Sequence, residues 1–215
     1  MPTTSGTRAP RSDAAKNRAA LLDAARAVLN RDPEATLDAI ATEAGLSRRA
    51  VYGHFPSRDA LVAELAEQGA ARVAAAVDAL HDADPVVDLA LVGRLVWDDV
   101  ADVRAMTRAV VRGPLREQVL SGGLGPIHAR IVADVALAAS TGAGRTDLDA
   151  ETVAHLVEGA AFAVLDESVR RPLTRREGRR LVVLAGLGAL GLGWREAQAV
   201  LDAHADRLLD EAAAR

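Results

Sequence analysis

An all-α fold is predicted by three observations. Apolar residues recur at helical spacing through most of the chain, no segment alternates as a half-buried strand would, and no repeat of fixed period appears. The length of 215 residues suffices for a small headpiece on a larger body, each with its own core. The chain accordingly divides into a tail at residues 1–12, a three-helix head at 13–60 and a larger helical body at 61–215.

The tail, MPTTSGTRAPRS, is polar and carries glycine and two prolines, so it reads as disordered, with Arg8 and Arg11 free to brush phosphate. Over residues 13–30, Leu21, Leu22, Ala25, Val28 and Leu29 form one helical stripe, and Pro33 ends the connection that follows. Thr36 is placed to cap a second, short helix whose inner face is Leu37, Ile40, Ala41 and Ala44. Gly45 then turns the chain, because glycine takes the left-handed conformation without a Cβ clash. Ser47 caps a third helix that buries Ala50, Val51 and Phe55 and leaves Arg48, Arg49, Tyr52 and His54 on its outer side.

Those four side chains are long-reaching donors. Arginine pairs bidentately with guanine in the major groove, and tyrosine and histidine can hydrogen-bond phosphate oxygens, so this face suits entry of a helix N-terminus into DNA.

Pro56 stops the third helix. Ser57 starts a long fourth one, with Asp59 in its first turn and Leu61, Leu65, Val73, Val77 and Leu80 along its stripe, joining head to body. HDADP at 81–85 is a turn, and apolar helices are predicted at 86–100 and 104–112, the second interrupted by Gly113-Pro114. After a break at 121–125 come helices at 126–140, 148–170, 174–193 and 194–213, the last of them amphipathic.

Composition narrows the function. Without cysteine there is no disulfide framework and no thiolate metal site. The N-terminus lacks a secretory apolar segment, and the most apolar run, residues 181–192, falls short of the roughly 20 residues that span a bilayer, so a cytoplasmic protein with no membrane partner is expected. Net charge is −4, but residues 1–60 hold nine Lys/Arg against seven Asp/Glu and the remainder 17 against 23, a basic head on an acidic body.

An enzyme reading finds no footing. The histidines at 54, 81, 128, 155 and 204 form no compact ligand spacing, no serine sits in a nucleophile elbow, and no glycine-rich run has the context of a nucleotide loop, so no catalytic residue, metal site or cofactor is expected. Arg104, Arg108 and Arg112 share one helical face, read as solvated and balanced by Asp98, Asp99 and Asp102, with an anionic effector site as the sharper alternative. RRPLTRREGRR at 170–180 is read as an exposed connection.

Taken in order, Thr-x3-Ile-Ala-x2-Ala-Gly-Leu-Ser from Thr36 and Val-Tyr-x-His-Phe-Pro-Ser-Arg-x-Ala-Leu from Val51 closely resemble the N-terminal domain of TetR-type transcriptional regulators, over about residues 17–65. Arg58 stands where that family usually has lysine, and Gly53 where a larger residue is common. The resemblance implies a homodimer binding double-stranded, pseudo-palindromic operator DNA through Thr36, Ser47, Arg48, Arg49, Ala50, Tyr52, His54 and Arg58. It also implies a body enclosing a small, mostly apolar effector beside Trp97, Met106, His128 and Phe162, which releases a repressor from its operator. The helices at 148–170 and 176–192 are rich in small residues that permit close backbone approach. Through Gly159, Ala160, Ala163, Ala185, Gly188 and Ala189 they would form the family's four-helix dimer interface. Two alternatives stay open: an activator or architectural protein that needs no effector, and an enzyme or ligand carrier using His128 and His155 with nearby acids.

Overall fold

Thr36 and Ser47 supply the side-chain oxygens that start two short helices, accepting from the Ala39 and Ala50 amides at 3.2 and 3.3 Å. Each satisfies an amide that the first turn leaves without a partner. The computed structural model describes residues 9–210, and within them every regular element is helical. The head holds α1 (Ala9–Arg31), α2 (Leu37–Glu43), α3 (Arg48–His54) and the first part of α4 (Arg58–Asp78). Gly45, at φ 67°, turns the chain between α2 and α3, and the Leu46 amide closes the turn on the Ala41 carbonyl at 3.0 Å. Leu21, Leu29, Ile40, Val51, Phe55 and Leu61 are almost wholly buried and bind these helices together, each contributing about 1.5–3 kcal/mol of transfer free energy.

α1 begins at Ala9, so residues 9–12 belong to the helix and not to a tail. Pro10 falls in its first turn, where no amide donor is needed. Residues 1–8, including Arg8, lie outside the described residues.

The chain divides into two compact units between Ala66 and Glu67, inside α4; the boundary drawn from sequence at residue 60 lies in the first turn of the same helix. The second unit continues with α5 (Pro85–Val100), α6 (Arg104–Arg112), α7 (Arg116–Ser121), α8 (Gly125–Ser140), α9 (Ala150–Arg170), α10 (Arg175–Leu190), α11 (Trp194–Ala203) and α12 (Ala205–Leu208). Its centre is a group of four helices, with α10 against α9 and α5, and α8 against α5 and α9. Leu91, Val92, Val135, Val153, Val183 and Leu187 are among the residues that fill it. Asp84 caps α5 ahead of Pro85, Asp149 caps α9, and Thr174 with Glu177 forms a reciprocal capping box on α10. No helix among the described residues is long and apolar enough to cross a membrane.

Three buried polar contacts tie the unit together. Arg130 on α8 reaches the end of α4, donating to the Leu80 carbonyl at 2.6 Å and to the Val77 carbonyl, and pairs with the buried Asp88 at 2.6 Å. Arg179 on α10 bonds Asp98 at 2.6 Å and the Leu209 carbonyl at 2.9 Å. Arg94 donates to the Arg207 carbonyl at 2.9 Å.

These contacts correct two readings. The run at 170–180 is a largely exposed connection only over 171–174, because α10 starts at Arg175 and Arg179 is buried against Asp98. The Arg104, Arg108 and Arg112 face is not balanced by Asp98, Asp99 and Asp102. Arg108 and Arg112 instead bracket Asp166 on α9, at 2.9 and 2.5 Å, and Arg104 donates to the Leu173 carbonyl at 2.8 Å. The terminal segment is likewise not one helix over 194–213: it breaks at His204, whose backbone at φ −121° leaves the helical region. Residues 211–213 lie outside the described residues.

Candidate functional site

Two places in the molecule gather functional side chains: the outer face of α3, and a cavity within the second unit. On α3, burial of Val51 and Phe55 fixes which side faces the core and so which side faces out. Arg48, Arg49 and Tyr52 are exposed, Tyr52 at 45%, while Ala50 and His54 are half-buried. The Arg48 guanidinium lies 5.5 Å from the centre of the Tyr52 ring and 3.3 Å from Asp38 on α2. Such an exposed ion pair is worth at most about 1 kcal/mol, so Arg48 can exchange Asp38 for an anionic partner. Thr36 and Ser47 are engaged as caps and position the turn. Gly53 is exposed, and a Cβ there would meet nothing within 4 Å, so the departure at this position leaves open space on the outer face.

Arg58 is placed otherwise than a free phosphate ligand. Its Nε donates to the Ala35 carbonyl at 2.9 Å and its guanidinium also reaches the Pro33 carbonyl, locking the α1–α2 connection onto the start of α4. Arginine's fork serves both acceptors at once, which a lysine ammonium does less well. Arg18 of α1 pairs with Glu64 of α4 and lies 4.8 Å from the Phe55 ring centre, a second brace that joins α1, α4 and the end of α3.

The cavity, about 380 Å³, is walled on its apolar side by residues such as Leu89, Val92, Ile131, Phe162 and Leu187. That volume falls in the range of pockets for small organic ligands. Its polar side comes from α7, α8 and α9: Arg116, Glu117 and Ser121, then His128, then His155 and Glu158. The Gly113-Pro114 interruption is what allows α7 to leave the line of α6 and bring its first turn to the cavity.

Of the effector residues expected from sequence, His128 and Phe162 line the cavity; Trp97 and Met106 do not. Trp97 is a core residue, 2% exposed, with its indole N–H donated to the Arg175 carbonyl at 3.1 Å. It lies so close to α10 that a Cβ on Gly178 would fall 1.8 Å from its ring. The half-buried Met106, on α6, is outside the lining. Glu117, Ser121 and Glu158 were not singled out for the cavity by sequence, because which polar faces of three separate helices meet depends on their packing.

His128 is held at both ring nitrogens, with Nδ1 2.7 Å from Glu158 and Nε2 2.9 Å from Glu151. The hydrogen bond to Glu158 is the main cause that raises its pKa above the ordinary histidine value, and partial burial opposes it. His155 stands beside it, the ring centres 5.1 Å apart. The spacing in sequence hides this group because His128 comes from α8 and the other members from α9.

Residues 21–65 match the family model for bacterial regulatory proteins, tetR family. Among solved structures, the chain resembles the fatty acid degradation regulator FadR of Bacillus halodurans, at a TM-score of 0.69 and 16% identity over 88% of this chain and 97% of that one. It resembles RolR in complex with resorcinol, at a TM-score of 0.61 and 19% identity over 88% and 95% of the two chains. It also resembles SmeT, the repressor of the Stenotrophomonas maltophilia multidrug efflux pump SmeDEF, at a TM-score of 0.60 and 22% identity over 86% and 89%. No curated protein matches the sequence. Residues 21–65 thus resemble the tetR-family regulators, and the chain as a whole shares the fold of these solved structures.

Proposed function

We propose that this chain is a homodimeric repressor that binds a pseudo-palindromic operator through α3 and is released from it by a small effector held in the body cavity. The observation that carries this reading is the outward face of α3, with Arg48, Arg49 and Tyr52 exposed on a helix whose opposite side is locked in the core. Arg49 and Arg48 sit in the first turn, where groove-entering helices read base edges.

The cavity supports the effector half of the reading, and RolR, a relative in fold, has been solved with resorcinol. A ligand with an apolar body and a polar end suits the lining, the body against Leu89, Ile131 and Phe162 and the polar end toward His128 or Arg116. It acts only through a difference in affinity between the operator-competent conformation and others. Support for the dimer comes from the outer faces of α9 and α10. Gly159, Ala163 and Gly188 are exposed, and a Cβ at either glycine would meet nothing within 4 Å, which leaves room for a second copy's backbone. Ala160, Ala185 and Ala189 are half-buried beside them, and Leu156 is 45% exposed on the same surface.

The test is operator affinity by fluorescence anisotropy, with and without a compound found by screening for release. Phe162→Ala should weaken release about tenfold or more while leaving effector-free affinity within about twofold, since it removes apolar contact with the ligand alone. Unchanged release would move the effector out of this cavity.

A further inference from the structure

The polar side of the cavity holds a donor set of which the regulator reading uses only His128, as a polar contact. His128 from α8 and His155 and Glu158 from α9 each present one ligand atom, and these atoms lie within 4.8 Å of one another. His155 and Glu158 are three residues apart on α9 and therefore share a face, and both border the cavity with His128.

Two imidazoles and one carboxylate form a set of borderline and hard donors. It suits zinc, nickel or cobalt as divalent ions, and three protein ligands leave a coordination position for another molecule. His128 Nδ1 and the Glu158 oxygen are now hydrogen-bonded at 2.7 Å; ligands at about 2.0–2.1 Å from a tetrahedral ion stand roughly 3.3 Å apart, so the ion would replace the proton between them after small side-chain rotations. A second feature points the same way. The far nitrogen of His128, Nε2, is already 2.9 Å from Glu151, the arrangement by which an outer carboxylate orients a metal-binding histidine.

We propose that His128 through Nδ1, His155 and Glu158 bind one divalent transition-metal ion at the cavity wall, with Glu151 as the positioning residue for His128. The ion's remaining position faces the cavity, so a ligand bearing an oxygen donor, such as a phenolate, enolate or carboxylate, would complete it. This last step rests on the cavity being the effector site; the ion site itself does not.

The experiment is titration of the tag-free, chelator-treated, full-length protein with Co2+, followed by visible absorption and checked by calorimetry with Zn2+. One equivalent of Co2+ should give the absorption bands of a low-coordinate nitrogen and oxygen site. His155→Ala, an exposed position and so the mildest change to the fold, and Glu158→Gln should each abolish them. Glu151→Gln should keep the spectrum but weaken affinity about 10–100-fold, the usual effect of losing an outer partner. Thermal unfolding of each variant in the absence of metal separates loss of the site from loss of the fold. No saturable spectrum, or a spectrum and affinity unchanged in His155→Ala, would overturn the proposal. Because the signal is read without DNA, a failure here with operator binding and release intact would leave the regulator reading standing. Co2+ binding without operator affinity would do the reverse.

Discussion

Arg49 and Arg58 are both head arginines, and the structure gives them different work. Arg49 is exposed in the first turn of α3, so Arg49→Ala should cost about 1–3 kcal/mol against the selected operator and nearly nothing against unrelated DNA, provided it pairs bidentately with guanine. Anisotropy against both duplexes checks it. Arg58 holds the Ala35 and Pro33 carbonyls. Arg58→Ala should therefore lower the stability of the head by about 1.5–3 kcal/mol, read as an earlier urea midpoint, and weaken all DNA alike as a consequence. A wild-type midpoint would return Arg58 to the role of a free phosphate contact. Capping by Thr36 and Ser47 was legible in the sequence because it is local. The core role of Trp97 was not, because the glycine that makes room for it lies on α10. Asp134 was also invisible. Burial and the neighbouring Asp88 charge push its carboxyl up to about 7, above the unfolded value of about 3.9. The folded state thus binds the extra proton between these values, and stability is lost as pH rises from about 4 through 7. Asp134→Asn should flatten that loss and raise stability at pH 8 by about 1–2 kcal/mol. Chemical denaturation at pH 5 and 8 measures it, and an equal change at both would contradict the assignment.

At the scale of elements, what the sequence showed plainly were the helices with an apolar stripe and a side-chain cap. Helix α10 begins at its Thr174–Glu177 capping box and is capped at its end by Gly191, φ 113°. The polar run at its start misleads because three of its arginines, 175, 176 and 179, are taken up by Asp98, Asp102 and Asp210 from other elements. Helix α7 and the break at His204 carry no strong local signal, and packing decides both. In α3, Gly53 is a helix interior position with open space around its Cβ. Gly53→Ala should stabilise the head by up to about 1 kcal/mol, seen as a later urea midpoint with unchanged slope. An earlier midpoint would mean that the outer face of α3 is more crowded than its geometry shows.

For the whole molecule, the proposed dimer and the proposed reading of DNA are linked, since two copies related by a twofold axis present two equal heads. Gly188→Glu on the exposed face of α10 should convert dimer to monomer in sedimentation at micromolar concentration and lower operator affinity by more than about tenfold. A variant that stays dimeric would shift the interface away from α9 and α10. Sequence alone suggested a head and a body through the Thr36 to Leu61 pattern and the charge asymmetry. It conveyed less of the body, where the cavity is assembled from helices far apart in the chain. In the proposed function, α3 reads DNA sequence. Selection of bound duplexes from a random DNA pool by the full-length protein tests it most directly. The expected result is one enriched pseudo-palindrome with half-site centres about one helical turn or slightly more apart, its guanines losing their preference when Arg48 and Arg49 are replaced by alanine. A pool that emerges without an enriched motif, or a motif that the doubly substituted protein selects equally well, would contradict it.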